Sequence, residues 1–364
     1  MQKKSILFIA DKPNWAYHNI IKTWYEDLQH EYDCYIAFAQ DFFLRQKDYT
    51  VLDKIQNTII GVLNSENLRF KIDKTRKFAT PEYKTPPVYR VGTNQKIHKT
   101  HFDFHIEMAY YFQYVSALPF TADKKFVGIY TDSFPHEGPN FDIRKNLKVS
   151  DYKRAEFYEN YLKNYDGIIV GNTNLLNDYL PFTDKVIFAN GIFRQNEFVE
   201  NKNIGKNDGL TIGWTGTPDR PMKGFRSIIE PAVNLVQKTG RNVKLKTKFT
   251  GTYDDILNFY HDVDLVVIAS SADTGPSLFA EAALSNVPSI STEIGFPKMV
   301  IKNGENGILT KRDIDEMVNA IIRLYDDREL VKVFSKKIKS DYLEVLDNKI
   351  SIRNIKNLLS KSQI

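Results

Sequence analysis

The chain has 364 residues, with 50 Lys and Arg set against 45 Asp and Glu, so its formal net charge is only +5. At 42% hydrophobic and 26% charged it has the composition of a folded globular protein, which excludes disordered and fibrous classes. No apolar run reaches the ~18–20 residues of a transmembrane helix, and the one cysteine, Cys34, excludes an internal disulfide framework and a cysteine-rich metal site.

The length exceeds what one hydrophobic core usually supports, so two domains are expected. The first apolar run, Ser5–Ala10, is shorter than a secretory signal core and is followed at once by Asp11 and Lys12, so a cytoplasmic protein is expected. Lys4–Ala10 reads as a buried strand and Trp15–His30 as a helix, with Ile20, Ile21, Trp24 and Leu28 on one face. Cys34–Phe38 is a second strand, and this β-loop-α-β opening is the start of a doubly wound α/β sheet. Residues 45–100 are less regular and look like an insertion or an acceptor-side region. Strands follow at Phe126–Tyr130, Gly167–Val170 and Val186–Ala189, with a helix over Tyr152–Asn164 and a turn signal at Asn190-Gly191. The polar stretch 199–209 is a linker candidate.

The alternation then restarts. Strands are expected at Leu210–Trp214, Val243–Phe249, Leu265–Ala269 and Pro288–Ser291. Helices are expected at Phe225–Lys238, Tyr253–His261, Leu278–Leu284, Ile314–Asp326 and from Glu329 onward. Apolar residues recurring from Tyr342 to Leu359 predict a closing amphipathic helix. The division is therefore 1–199, an N-terminal acceptor-side domain; 200–340, a C-terminal donor domain; and 341–364, a helix packing back toward the N-terminal domain.

Charge is unevenly spread. Between Arg69 and Lys99 stand nine basic residues and two acidic ones, a local +7 that leaves −2 for the rest. A solvated hairpin accounts for this run, and so does a surface for something anionic: a membrane face, a lipid-linked acceptor or an acidic glycan. Nothing in it resembles a nucleic-acid-binding motif, so no nucleic-acid partner is expected.

Ligands of open α/β sheets bind beyond the carboxyl ends of the strands. Two strand-end loops stand out. Ser270–Ile290 carries Asp273, Gly275, Pro276, Ser277 and Leu278 into a helix bearing Glu281, whose N-terminal N–H groups suit a diphosphate. A capped helix with ordinary first-turn acids is the plainer explanation of that spacing. Gly213–Gly224 carries Gly216, Arg220 and Lys223 ahead of another helix, where cations can neutralise a leaving phosphate; neither a P-loop nor a G-x-G-x-x-G is present. Asp262-Val263-Asp264 mimics a metal motif but lies at the entry of a strand, the wrong end of the sheet. His101 and His105, flanking a strand-like Phe102-Asp103-Phe104, read as core or surface histidines, and Cys34 as a small buried hydrophobe.

The second half resembles the donor domain of retaining glycosyltransferases of family 4, among the glycosyl transferases group 1. The residues that carry this are Asp273-x7-Glu281 in place of the family's Glu-x7-Glu, the following Ala282–Pro288, Asn190-Gly191-Ile192 through Phe198, and Asn303–Leu309. The resemblance is specific over about 165–325 and weak over 40–125. It implies the GT-B architecture, two Rossmann-like domains facing across a cleft, and transfer of a sugar from a UDP- or GDP-linked donor to a glycan or lipid-linked acceptor hydroxyl, with retention and without metal or other cofactor. It also implies that Glu281 holds the ribose, that Lys223, with Arg220, holds the diphosphate with the N–H groups of Ser277 and Leu278, and that Asp273 lies near the donor sugar. The usual Gly-rich loop after the first strand is replaced by Asp11–Ala16, of which Asn14 and Trp15 face the cleft, and Asp132 and His136 stand where the family has a cleft histidine. An epimerase or phosphorylase of the same fold, and a non-catalytic nucleotide- or glycan-binding protein, are the alternatives.

Overall fold

The computed structural model describes residues 3–39, 87–108, 120–130, 151–206 and 208–361. In the first half β1 (Lys4–Ala10), α1 (Ala16–Leu28) and β2 (Tyr32–Phe38) form as the periodicity requires. Ser5–Ala10 are all buried, the pattern of a parallel strand covered on both faces. Helix α1 turns Ile20, Ile21, Trp24 and Leu28 inward. A short antiparallel extension follows, β3 (Val88–Arg90) and β4 (Lys96–Ile97), at the sheet edge. Of the basic run, Arg90, Lys96 and Lys99 lie in or beside this edge hairpin, and its members from Arg69 to Lys84 lie outside the described residues.

His101–Glu107 is β5, and it inserts in the middle of the sheet beside β1. His101 and His105 share one face of the strand, but His105 lies where the sheet is covered and is buried, while His101 at the strand's start stays exposed against Thr121 and Asp123. Then come β6 (Thr121–Ile129), α2 (Asp151–Phe157) extended by a wide turn over Tyr158–Leu162, β7 (Gly167–Val170), α3 (Thr173–Tyr179) and β8 (Val186–Phe188). The order is β4-β3-β2-β1-β5-β6-β7-β8, parallel from β2 to β8.

The second sheet is built from β9 (Leu210–Thr215), β10 (Val243–Lys248), β11 (Leu265–Ile268), β12 (Ser289–Thr292) and β13 (Ile308–Thr310). All its pairs are parallel, in the order β10-β9-β11-β12-β13. Its helices are α4 (Glu230–Lys238), α5 (Tyr253–Phe259), α6 (Ser277–Leu284), α7 (Gly295–Val300), α8 (Ile314–Asp326) and α9 (Arg328–Leu346).

The structure corrects two expectations. The stretch Tyr342–Leu359 is not one helix: α9 stops at Leu346 and α10 (Asn348–Lys361) begins anew. Asp347 takes an extended backbone there, and its carboxylate accepts the N–H of Lys349 at 2.9 Å, which caps the new helix. Helix α10 then lays Ile352, Ile355, Leu358 and Leu359 into the core that holds Phe8 and Trp24 of the first half. Asn190-Gly191 makes no tight turn; it is a crossing point. The Asn190 amide donates to the Gly171 carbonyl at 3.1 Å, its carbonyl accepts from the Trp24 indole at 3.0 Å, and its N–H donates to Ser351 at 2.8 Å. In the linker candidate after Val199, buried Asn201 donates its side-chain amide to the carbonyls of Tyr260 and Val263.

Asp264, at the entry of β11, accepts the N–H groups of Gly205 and Thr211 at 2.8 Å each and pairs with Arg328. It is a structural strut at the end of the sheet away from the strand-end loops.

Candidate active site

In the second sheet β10 follows β9 to one side while β11 lies on the other, so the direction of winding reverses between β9 and β11. Such a reversal leaves a crevice between the two strand-end loops, the usual ligand position of this architecture. The loops there are Gly216–Gly224 after β9 and Ser270–Pro276 after β11, the two that the sequence marks.

Several contacts hold these loops together. The Ser271 N–H donates to the Met222 carbonyl at 2.8 Å. The Arg312 guanidinium, beyond β13, donates to the Ala269 carbonyl at 2.9 Å and the Pro221 carbonyl at 3.0 Å, tying both loops to one cation. Gly224 follows Lys223 in the left-handed region at φ +69°, and an added Cβ would sit 2.5 Å from the Ala269 carbonyl oxygen. Only glycine lets the chain turn this close to the end of β11. Gly275 is packed on the Phe296 ring, where a Cβ would come within 2.4 Å.

Into this crevice come Lys223 and Asp273. They are 50 residues apart in sequence, and the ammonium and carboxylate form a direct, partly buried ion pair. Asp273 is therefore no helix cap. The N-cap of α6 is Pro276, without a side-chain bond, and the first turn of α6 has no acid. The N–H groups of Ser277 and Leu278 precede the first intrahelical donor, the Phe279 N–H that bonds the Pro276 carbonyl at 3.0 Å, and so are open to a ligand. One turn on, Glu281 is 5% exposed, and its carboxylate accepts a 2.8 Å hydrogen bond from the Tyr260 hydroxyl. Burial pushes the Glu281 carboxyl up to about 7, against the opposing pull of the Tyr260 bond. The first-turn-acid explanation thus fails for both residues.

A groove of about 720 Å³ runs beside the crevice over the ends of β11, β12 and β13, lined among others by Ser270, Thr292, Glu293, Thr310, Arg312 and Glu316. Gly216 turns at φ +138° against the Trp214 ring, and Arg220 is exposed, with its guanidinium near the Met222 sulfur.

Asn14 and Trp15 lie across on the first sheet, just beyond β1. That sheet has its own reversal of winding between β1 and β5. Trp15 is more than half exposed, with the Lys12 ammonium 3.1 Å from its ring centre, and the Asn14 amide oxygen accepts from Lys22 at 2.9 Å. No hydrogen bond among the described residues joins this pair to the crevice. Asp132 and His136 lie outside the described residues.

Three contributors were not anticipated. Tyr260 and Arg312 carry no local signal that would single them out. Thr274, between two residues that were singled out, bridges to the first half, its hydroxyl donating to the Tyr130 carbonyl at 2.6 Å.

Residues 230–341 match the family model of glycosyl transferases group 1. This stretch is similar to glycosyl transferases group 1. A curated relative, the UDP-Gal:alpha-D-GlcNAc-diphosphoundecaprenol alpha-1,3-galactosyltransferase of Escherichia coli, is 28% identical over 122 residues, which is 33% of this chain and 31% of that protein. The chain thus aligns with about a third of that relative's length. Among solved structures, HepE of Anabaena in complex with UDP and glucose has a TM-score of 0.60 at 14% identity, covering 98% of this chain and 99% of that one. Sucrose-phosphate synthase from Thermosynechococcus elongatus has a TM-score of 0.62 at 13% identity, covering 99% of each chain. At such identities the likeness speaks to the fold, and the fold is GT-B: two α/β halves, each with a largely parallel sheet. No helix among the described residues is long and apolar enough to cross a membrane.

Proposed function

We propose that the chain transfers one sugar from a nucleotide-diphospho-sugar to an acceptor hydroxyl, with retention of configuration. The observation that carries this is the Lys223–Asp273 pair, held in the crevice between β9 and β11 directly ahead of the open N-terminus of α6.

The diphosphate lies over the N–H groups of Ser277 and Leu278 and draws the Lys223 ammonium to it, with Arg220 at the rim. Glu281 gives its remaining acceptor capacity to the ribose hydroxyls, since Tyr260 supplies one bond. Asp273, released from Lys223, accepts hydroxyls of the donor sugar. The bond from the anomeric carbon to the diphosphate oxygen breaks as the acceptor oxygen bonds to that carbon on the same face. The acceptor proton passes to the departing diphosphate, whose growing charge Lys223 and the α6 N–H groups stabilise. The cationic work is assigned to the protein, and no cofactor is assigned. A UDP-linked donor is favoured by the names of the relatives: one uses UDP-Gal, and another is solved with UDP and glucose. The acceptor is a glycan or lipid-linked sugar, in glycan or polysaccharide assembly on the cytoplasmic side, with the basic run 69–99 meeting an anionic membrane or acceptor.

Measuring nucleotide release from a panel of UDP- and GDP-sugars, with and without acceptor glycosides, tests this reading. Acceptor-dependent release supports transfer. Exchange of sugar identity without acceptor points to the epimerase alternative, phosphate-dependent release to a phosphorylase, and binding without turnover to a nucleotide-binding protein.

A further inference from the structure

Asp273 and Thr274 are adjacent in the chain and reach in different directions. The Asp273 side chain meets Lys223 of the second half. Thr274 is buried and reaches the first half: its hydroxyl donates to the Tyr130 carbonyl at 2.6 Å, and its carbonyl accepts from the Asn172 side-chain amide at 3.0 Å. Tyr130 and Asn172 stand just past the ends of β6 and β7, so both come from the carboxyl edge of the first sheet.

These partners are themselves held. The Tyr130 hydroxyl donates to the Ala189 carbonyl at 2.7 Å, and Asn172 caps α3 by accepting the Leu175 N–H at 2.8 Å. Gly171 between them leaves no slack, because a Cβ there would lie 2.6 Å from the Thr274 methyl and 2.6 Å from the Tyr130 ring. Behind the loop, a Cβ on Gly295 would lie 2.4 Å from the carbonyl oxygens of Asp273 and Thr274. The segment carrying Asp273 is therefore gripped from both halves.

We propose that Thr274 is a positioning residue, through which the first half sets where Asp273 stands opposite Lys223. The inference rests on the transfer reaction proposed above. The physical reason is reach. Lys223, Glu281 and α6 belong to the second half alone and can bind a nucleotide unaided. The sugar-facing carboxylate is placed by a contact that exists only while the two halves touch. A displacement of about 1 Å at such a group costs on the order of a hundredfold in rate.

Two near-isosteric variants from opposite halves test the latch. Thr274→Val removes the hydroxyl. Asn172→Asp keeps the cap on Leu175 but turns a carboxylate oxygen against the Thr274 carbonyl, and it carries the test if Thr274→Val does not fold. Each is expected to lower kcat by about tenfold or more, with the Kd for UDP held within about threefold and Thr274→Ser restoring the rate. Hydrogen exchange gives a reading independent of turnover: Asn172→Asp should raise exchange at residues 271–275, about a hundred residues away in the other half. Unchanged exchange there overturns the latch, whether or not the protein turns over any donor. A kcat within twofold of wild type in both variants overturns it, as does loss of UDP affinity in parallel with kcat. A wild-type protein that releases no nucleotide from any donor overturns the transfer reaction instead, and the exchange result still decides the latch.

Discussion

Glu281 is a carboxyl that is costly to ionise in the folded state, because burial moves it from 4.5 to about 7. The folded chain then keeps a proton that the unfolded chain releases. Stability is full below the ordinary carboxyl value and is lost progressively as pH rises from 4.5 toward 7. At about 1.4 kcal/mol per tenfold, the linked cost is about 1.4 kcal/mol at pH 5.5 and about 3 kcal/mol at pH 8. Glu281→Gln removes the titration while keeping an oxygen that can accept from Tyr260. The variant should therefore be more stable than wild type, by a margin that widens by about 2 kcal/mol between pH 5.5 and pH 8. In thermal unfolding that is a widening of roughly 4 °C. Isothermal titration should meanwhile show UDP binding weakened by about tenfold or more, the loss expected for a charge-assisted hydrogen bond to a ribose hydroxyl. A stability gap that is the same at both pH values would refute the buried, proton-holding carboxyl. A gained stability with full UDP affinity would leave Glu281 buried but remove it from the nucleotide site.

Lys223→Ala should lower turnover by about 10²–10³ with little change in Tm, the scale of losing one transition-state charge stabiliser, and full activity would take Lys223 out of the mechanism. Asp273→Asn frees Lys223 from its ion pair, so free UDP should bind as well as before or a few-fold tighter while kcat falls; calorimetry beside steady-state kinetics checks both halves of that statement. Because the charge on the leaving group is assigned to Lys223 and the α6 N–H groups, treatment with EDTA should leave turnover intact, and a strict requirement restored by divalent ions would contradict the assignment. Reversing Arg90, Lys96 and Lys99 should raise the acceptor KM at low salt and leave donor KM unchanged, the difference shrinking above ~0.15 M as screening tightens; equal acceptor kinetics at low salt would leave this hairpin a solvated edge.

Much of the fold is written locally. Apolar runs such as Lys4–Ala10 and Gly167–Val170 give strands at the expected residues, because strand and helix periods are properties of short windows. The candidate-site loops are legible for a related reason. In parallel α/β sheets every strand delivers its following loop to one edge, so Lys223 and Asp273 could each be placed at that edge from sequence. That they meet was not legible. It depends on β9 and β11 being neighbours with β10 turned to the other side, and strand order is a matter of long-range pairing. The same holds for β5: Phe102-Asp103-Phe104 reads as strand-like in the sequence, but its place in the middle of the first sheet does not. The break at Asp347 escaped because an apolar stripe can run through two successive helices. Glu281 is a candidate ligand in the sequence, but its proton-holding character comes from burial in the folded chain, with the Tyr260 hydrogen bond pulling the other way, and the chain's own spacing does not encode either. Thr274 is the clearest case. Nothing about a threonine beside Asp273 marks it, and its proposed role exists only because the fold brings the Tyr130 carbonyl, 144 positions away in sequence, within 2.6 Å. Periodicity and strand-end chemistry are local and survive in the sequence; contacts between distant segments are decided by how whole sheets pack, and only the tertiary structure holds them.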